Sequence, residues 1–559
     1  MKITYKDTIT ADAKMPSQAI IDLILKNRGI TDIDTFLHPK SPLEINVEDF
    51  GFEKEITHLF AILKEIKDKK KNIVVYTDYD ADGITGGTVM WETLHLLGFN
   101  VMPYVPHRIH EGYGFSVKGI DNVKAKYDPA LIISVDHGIA AADKIDYARS
   151  IGIPVVITDH HMKNEFTPQT EATFHIPELS GSGVSYFVAK AIAKHFKQGN
   201  INDDKIDHYF ENDYMAIASI GTIADLVPLV GASRSLVKHG LDAFTRVKRH
   251  GITHILHEAG ISDKKITPYE IGFIIAPRIN AIGRLQHAMD ALRLLCTTSE
   301  QKAFELASSI GALNVKRQDL VKTAIEEALV MVEALDPKPS IIVLVSDTWH
   351  EGIIGLVASK IVEKYNRPAI VITKADGIMK GSARSISTFH ITSFLQGLKK
   401  YLNGVGGHKQ AAGFTVTAEF LDAFVTEISQ QSVDLMSGIE LEKIIDADLF
   451  LPLKKITLPL AQKLELLEPF GIGNPNPVFV SDTTIIDKQY FGKLKNHLKL
   501  HIGDAASDSM PLEVIAFSQA ELGEELKRGQ HIKIAYQLEI DRWNGRERLR
   551  ARLVGLLPL

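Results

Sequence analysis

Three short, β-branched and almost wholly apolar runs constrain this chain more than any other feature. They are Lys71–Thr77 (KNIVVYT), Ala130–Val135 (ALIISV) and Pro154–Thr158 (PVVIT). Strands buried on both faces of a parallel sheet read this way, because neither face is left for polar residues. Helix-like stretches at Ile84–Leu97 and Ala140–Ser150 lie between them, giving the strand–helix–strand alternation that parallel pairing requires. The fold class expected is therefore α/β. The residues just after each run matter as much. The first run ends in Asp78-Tyr79-Asp80-Ala81-Asp82-Gly83, the second in Asp136-His137-Gly138, and the third in Asp159-His160-His161. In open parallel sheets ligands bind beyond the carboxyl ends of the strands, so these loops should converge.

Carboxylates and imidazoles gathered at one rim repel unless a cation sits among them. Oxygen and nitrogen donors without thiolate favour Mn²⁺ over Mg²⁺ or Zn²⁺. The chain has a single cysteine, which excludes an intramolecular disulfide and a cysteine-rich zinc site. Each motif alone has a plainer reading. Asp-x-Asp-x-Asp-Gly resembles a calcium loop, but position 89, where the twelfth-place acid belongs, is Val. Asp136 alone can cap the following helix, and a histidine pair alone is often surface decoration. Three such motifs at consecutive strand ends favour a metal site.

The rest of the chain divides by pattern. Residues 1–70 read as helical and polar, with Lys69-Lys70-Lys71 a solvated helix end. Residues 205–335 are mostly helical, closing in a long amphipathic stretch from Ser299 to Leu335, and Asp336-Pro337-Lys338-Pro339 marks a boundary. A second alternating unit comes next, with strands at Ile341–Ser346 and Pro368–Thr373 and helices at Ile353–Tyr365 and Ile391–Leu402. From about Gly438 short strands predominate: Asp482–Ile486, Leu498–Ile502, Leu512–Phe517, His531–Ile540 and Arg546–Val554. Asn544-Gly545 joins the last two as a hairpin. A small barrel is expected there.

The motifs in order resemble the DHH phosphoesterase superfamily. Ala224-Asp225-Leu226-Val227-Pro228-Leu229 is similar to its fourth motif, and Gly406-Gly407-His408-Lys409-Gln410-Ala411-Ala412-Gly413 to the signature of its associated substrate domain. Tyr104–Arg108 with Glu111–Gly114, Pro277–Arg284, Trp349–Gly355 and Phe470–Pro475 resemble, as an ordered set, the RecJ family of bacterial exonucleases specific for single-stranded DNA. The stretch Thr173–Gly183 departs from that family in lacking its usual Asn-Pro, and Arg546–Leu559 matches it loosely. The resemblance implies a parallel-sheet DHH domain (71–298), a connecting helix (299–335), a smaller α/β DHH-associated domain (336–437) and an OB-like barrel (438–559).

It also implies roles. Asp80, Asp82, Asp136, His160 and Asp225 would ligate two divalent ions, with Asp136 as the bridge. Asp78 and His161 would orient those groups, ligate transiently or protonate the leaving oxygen. Arg108, Arg278, Asn280, Ser382, Arg384, Gly407 and His408 would hold the strand, a terminal 5′-phosphate lying near Arg384. Between Asp376 and Gln410, Lys380, Arg384, Lys399, Lys400 and Lys409 stand against only Asp376. Arg542, Arg546, Arg548, Arg550 and Arg552 alternate along the last hairpin, which favours a phosphate-tracking face. Trp543, Tyr536, Phe517 and Phe491 are candidates for base stacking or for barrel core.

The expected activity is metal-assisted 5′→3′ hydrolysis of single-stranded DNA to mononucleotides, in recombination and repair. The implied partners are single-strand-binding protein and a RecQ-type helicase, and the expected state is a monomer. Rival readings are an oligonucleotide or cyclic-dinucleotide phosphodiesterase, which would not need the barrel, and an inactive strand-binding scaffold, which would have lost acids. Tyr76 stands where the superfamily's pyrophosphatases carry His. The formal charge of −6 excludes a polycationic binder but not a locally basic DNA surface. Met1–Asp7 has no apolar signal-peptide core and no apolar run reaches ~18 residues, so the expected setting is cytoplasmic, without a membrane.

Overall fold

The computed structural model describes residues 1–10, 15–108, 110–164, 166–197, 199, 201–375, 378–436, 438, 441–503, 510–543 and 545–559. The chain opens with a strand, β1 (Lys2–Thr8). The first sheet is built from β2 (Asn72–Thr77), β3 (Asn100–Tyr104), β4 (Leu131–Val135), β5 (Val155–Asp159) and β6 (Ala172–His175). Their order is β3-β2-β4-β5-β6, and every pairing is parallel. β4 and β5 are buried along their whole length and β2 from its second residue onward, as their lack of alternation requires. Helices Ala81–Leu96 and Gly181–Phe196 pack against one another on this sheet, and helix Tyr214–Ala224 packs on both.

The second sheet comprises β7 (Ile342–Ser346), β8 (Ala369–Ala375), β9 (Ile378–Arg384), β10 (Leu402–His408) and β11 (Ala411–Val416), in the order β10-β11-β9-β8-β7. Helix Glu300–Glu333 spans from the first unit to this one. The third comprises β12 (Ile444–Phe450), β13 (Phe479–Phe491), β14 (His497–Gly503), β15 (Leu512–Ala516), β16 (His531–Trp543) and β17 (Arg546–Pro558). Strands β13 to β17 close on themselves because β16 pairs with both β13 and β17, a five-stranded OB-like barrel.

Several expectations are corrected. Residues 1–70 are helical at Ser17–Asn27, Ile33–Leu37 and Glu53–Asp68, but they open with a strand: β1 pairs in parallel with β12, more than 400 residues away, while Ile20, Ile21, Ile24 and Leu25 join the barrel core. Lysines on a short edge strand disguise it as a polar stretch. The expected helix Ile391–Leu402 stops at Gly397, and Leu402 begins β10. Strands β9, β10 and β11 went unread because glycines at 381, 404, 406, 407 and 413 interrupt their apolar pattern. Edge strands β3 and β6 lack a continuous apolar run. The hairpin β16–β17 forms as expected, although Asn544 lies outside the described residues, as does Asp376. Among the described residues no helix is long and apolar enough to cross a membrane.

Candidate active site

The three acid-bearing loops meet at the carboxyl ends of β2, β4 and β5. Asp80 is the N-cap of helix Ala81–Leu96, and its Oδ1 accepts from the backbone N–H groups of Asp82 (3.0 Å) and Gly83 (3.1 Å). That leaves Oδ2 for a further partner. Asp82 is held by a different helix end: Oδ2 accepts from Gly181 N–H (2.6 Å) and Oδ1 from Ser182 N–H (2.9 Å). Helix N-termini present unpaired N–H groups and favour negative charge, so both carboxylates are oriented without a cationic side chain. The segment that departs from the family pattern thus supplies the start of the helix that holds Asp82.

Asp136 has a left-handed backbone, φ 68°, so it does not cap the next helix, which begins at Ala142. The strain turns its carboxylate toward His160, whose Nε2 lies 3.2 Å from Asp136 Oδ1, 3.4 Å from Asp225 Oδ2 and 3.9 Å from Asp82 Oδ2. Gly181 makes room for this carboxylate: a Cβ there would fall 2.4 Å from Asp136 Cβ. Asp225 arrives from the end of helix Tyr214–Ala224.

Ligand atoms group in three overlapping sets, each within 4.8 Å: Asp78 with Asp80 and Asp136; Asp82 with His160 and Asp225; Asp136 with His160 and His161. Asp136 belongs to two of them. The test of fit lies in unmet polar atoms. Both carboxylate oxygens of Asp78, Oδ1 of Asp136 and Nε2 of His160 are buried without a hydrogen bond. Such orphans are costly unless something else satisfies them, and a divalent cation does so for this donor set. Burial, and then the neighbouring carboxylates, push the Asp78 and Asp136 carboxyls well above their usual range and Asp225 to about 8.

Asp159 plays another part. It is buried, and its oxygens accept from Ile139 N–H (2.8 Å), His160 N–H (2.7 Å), His161 N–H (3.1 Å) and His161 Nδ1 (2.8 Å). His161 is thereby fixed between Asp159 and the Tyr113 hydroxyl, 2.9 Å from Nε2. Burial is the largest single influence and opposes its charge, but the hydrogen bond and charge of Asp159, together with the charges of Asp225 and Asp82, outweigh it and raise the pKa to about 9. His137, in contrast, is a core histidine: its Nε2 meets Tyr76 O at 3.0 Å and burial lowers it to about 4.

The second unit faces this centre. The His408 ring stacks toward His161, centroids 6.3 Å apart and 23° from parallel. Gly407 stands before it at φ +147°, where a Cβ would meet Ala411 O at 2.2 Å. Arg384 Nη1 donates to Ser382 Oγ (3.1 Å) and Ala383 O (2.8 Å). Arg284 Nη1 donates to Gly352 O (2.8 Å), and Arg108 lies 5.1 Å over the Tyr79 ring. Burial first, and then Arg108, Arg317 and Arg384, lower Arg284 to about 10. Among the described residues Arg108, Arg284 and Arg384 pair with no carboxylate, which is the electrostatics of an anion site.

Two residues expected along the strand also make contacts within the protein. Arg278 pairs with Glu258 (2.6 Å) and donates to Ile274 O, while Asn280 Oδ1 accepts from Ala81 N–H (2.8 Å) and fixes the helix start beside Asp80. The arginines of the last hairpin are also partly committed: Arg542 to Glu465 and Glu547, Arg550 to Glu539 and Asp541. Tyr536 is core, its hydroxyl 2.7 Å from Ser481 Oγ, whereas Phe517 is exposed beneath Arg552. Residue-by-residue reading gave no role to Asp159, Tyr113 or Arg284. All three stand inside recognised motifs, Asp159 in the third, Tyr113 in Glu111–Gly114 and Arg284 in Pro277–Arg284, and that is the available signal.

A parallel sheet carrying these convergent acids, with Arg108 and Arg284 beside them and Arg384 and Ser382 on the second unit, defines a DHH-type phosphoesterase. Family models agree: the DHH family N-terminal domain matches residues 72–222, the DHHA1 domain 338–433 and the RecJ OB domain 447–555. Within that class the chain belongs to the RecJ family. It is 30% identical to the single-stranded-DNA-specific exonuclease RecJ of Haemophilus influenzae over 100% of this chain and 99% of that protein. It is 34% identical to RecJ of Bacillus subtilis over 87% of this chain, spanning 61% of that longer relative. The crystal structure of RecJ from Thermus thermophilus in complex with Mn²⁺ superposes with TM-score 0.82 at 26% identity, covering 100% of this chain and 80% of that one. The same protein with Mg²⁺ gives TM-score 0.75 at 26% identity, covering 99% and 78%.

Proposed function

We propose that this chain removes mononucleotides from the 5′ end of single-stranded DNA by metal-assisted hydrolysis. The observation that carries the reading is the set of unmet ligand atoms on Asp78, Asp136 and His160, with Arg108, Arg284 and Arg384 close enough to act electrostatically on that cluster or on one another. Asp80, Asp82, Asp136, His160 and Asp225 would hold two divalent ions, Mn²⁺ first and Mg²⁺ second, with Asp136 shared. Asp78 stands close enough to Asp80 and Asp136 to join them. When bound, such ions acidify a shared water and neutralise charge on the attacked phosphate.

The chain's own residues do the rest. Arg384, Ser382, Arg284 and Arg108 grip the terminal 5′-phosphate, the planar guanidinium of Arg384 matching its oxygens in a fork. With that end fixed opposite the acids, the next phosphodiester is presented for cleavage, and one nucleotide leaves per cycle. His161, held charged by Asp159, presents its Nε2 proton to the Tyr113 hydroxyl in the resting site and would pass it to the leaving oxygen. The barrel, with Phe517 and Arg552 exposed, tracks the strand beyond. This reading implies a cytoplasmic monomer working beside single-strand-binding protein and a RecQ-type helicase.

The deciding assay supplies Mn²⁺ with 5′-labelled and 3′-labelled single strands, duplex and a dinucleotide. Early loss of the 5′ label as mononucleotide from long single strands supports the proposal. Cleavage confined to the dinucleotide would overturn it.

A further inference from the structure

Next to the acid cluster the surface opens into an apolar cavity of about 860 Å³. Leu226, Tyr269, Phe273, Leu356, Phe470 and Ile472 line it, and among the described residues no lysine or arginine does. Four of these side chains are unusually open to solvent: Phe273 at 71%, Leu226 at 66%, Tyr269 at 58% and Ile472 at 51%. Singly exposed apolar residues need no explanation, but a contiguous group rimming a cavity marks a binding surface.

Its construction is specific. Leu226 adopts φ 62°, a left-handed conformation that a branched side chain rarely takes, and so points outward directly after Asp225. Tyr269 and Phe273 lie one helical turn apart with rings stacked, centroids 5.0 Å and 27° from parallel. Phe273 sits in a π-helical turn, Ile271–Ile275, an irregularity found often at functional positions. Ile472 is held against the fourth motif by Leu229 N–H donating to its carbonyl at 2.7 Å.

Position selects the occupant. On one side the cavity is lined by Ala224 and Leu226, which flank Asp225 of the acid cluster, and by Asn280, which bonds the helix start beside Asp80. On another it meets Leu356, whose neighbour Gly355 lies against Arg384 and Ser382. On the third it meets Phe470 and Ile472, on the segment that leads into β13 of the barrel. A strand anchored at its 5′-phosphate and running toward the barrel crosses this surface just after the acids. Without cations the surface does not read phosphate, whereas stacked rings and aliphatic edges suit the flat faces of unpaired bases.

We propose that Tyr269 and Phe273, with Leu226 and Ile472, form a platform for the unpaired bases immediately 3′ of the scissile phosphate. The inference rests on the exonuclease reading above. Bases in a duplex hide their faces in the stack, so the platform accepts only an unpaired strand. Preference for single strands is then imposed beside the acids as well as in the barrel.

The test compares wild type with the double variant Tyr269→Ala/Phe273→Ala, whose exposed side chains can be removed without opening the core. Two 5′-phosphorylated thymidine 12-mers are used, one normal and one with abasic sites at nucleotides 2–4. Affinity is read by fluorescence anisotropy in chelator and hydrolysis in Mn²⁺. Wild type should bind the abasic strand on the order of 10-fold more weakly. The variant should bind the normal strand as weakly as wild type binds the abasic one, and should no longer distinguish the two. A variant that still discriminates as wild type does, or matches wild-type affinity on both strands, overturns the platform; the latter would leave the patch to a protein partner. If neither protein hydrolyses DNA while the binding difference persists, the exonuclease reading fails and the platform stands.

Discussion

Gly181→Ala is the smallest change that reaches the centre of this site. The new Cβ would lie 2.4 Å from Asp136 Cβ, 2.5 Å from Oδ1 and 2.6 Å from Cγ. Carbon atoms rest at about 3.5–4.0 Å, so the pair must separate by roughly 1 Å. The fold should survive. Position 181 begins a helix with ordinary backbone, where alanine gains about 1 kcal/mol over glycine, against an overpacking cost of about 1–3 kcal/mol. Function should not survive intact, because Asp136 retreats and the Gly181 N–H that orients Asp82 moves with the helix start. Misplacing reacting groups by about 1 Å costs on the order of 100-fold. We expect kcat/KM on a single-stranded 12-mer in Mn²⁺ to fall by about that factor, with a weaker Mn²⁺ titration and little change in Tm. Gly183→Ala, whose nearest neighbour is Leu179 Cβ at 3.3 Å, serves as the control and should remain active. Wild-type kcat/KM and Mn²⁺ affinity in Gly181→Ala would refute the packing argument.

Three further outcomes rest on the same geometry. Asp159→Asn should return the His161 pKa from about 9 toward its ordinary value near 6.5, seen by NMR of the labelled ring in the metal-free protein; a value that stays near 9 would remove Asp159 as the cause. The carboxyls of Asp78, Asp136 and Asp225 are raised, so their ionised forms destabilise the metal-free fold above their unfolded pKa, and relief comes as pH falls through the folded values. Metal-free Tm should therefore rise from pH 8.5 to 6.5, and calorimetry in buffers of different ionisation enthalpy should show protons released on Mn²⁺ binding; no release at pH 7 would contradict the protonated cluster. Arg384→Lys should erode the preference for 5′-phosphate over 5′-hydroxyl ends by on the order of 10-fold, because an ammonium cannot reproduce the fork, and undiminished preference would place the end elsewhere.

Much of the site is legible in the sequence because parallel strands force it. Apolar runs ending at Thr77, Val135 and Thr158 fix a doubly covered sheet, and the residues just beyond them must share one rim; Asp78, Asp136 and His160 meet there. The features that escape reading are held by long-range contact or disguised by composition. Strand β1 looks polar because it lies at an edge, and it pairs with residues 444–450, which no local pattern encodes. The His408 hairpin is hidden by its glycines, although one of them, Gly407, is required by its backbone. The internal contacts of Arg278 with Glu258 and of Asn280 with the Ala81 N–H also escape the sequence, because their partners lie 20 and 199 residues away. The aromatic candidates of the barrel divide in the same way: burial makes Tyr536 core and leaves Phe517 at the surface.

The central claim is that acids from three consecutive strand ends form one metal-dependent hydrolytic centre with Asp136 as its shared member. Asp136→Ala tests it most directly, by Mn²⁺ calorimetry beside release of 5′-mononucleotide from labelled single-stranded DNA. Wild type should bind two ions, and the variant should keep its Tm, lose tight binding and release no product above background. Turnover by Asp136→Ala in saturating Mn²⁺ would contradict the account.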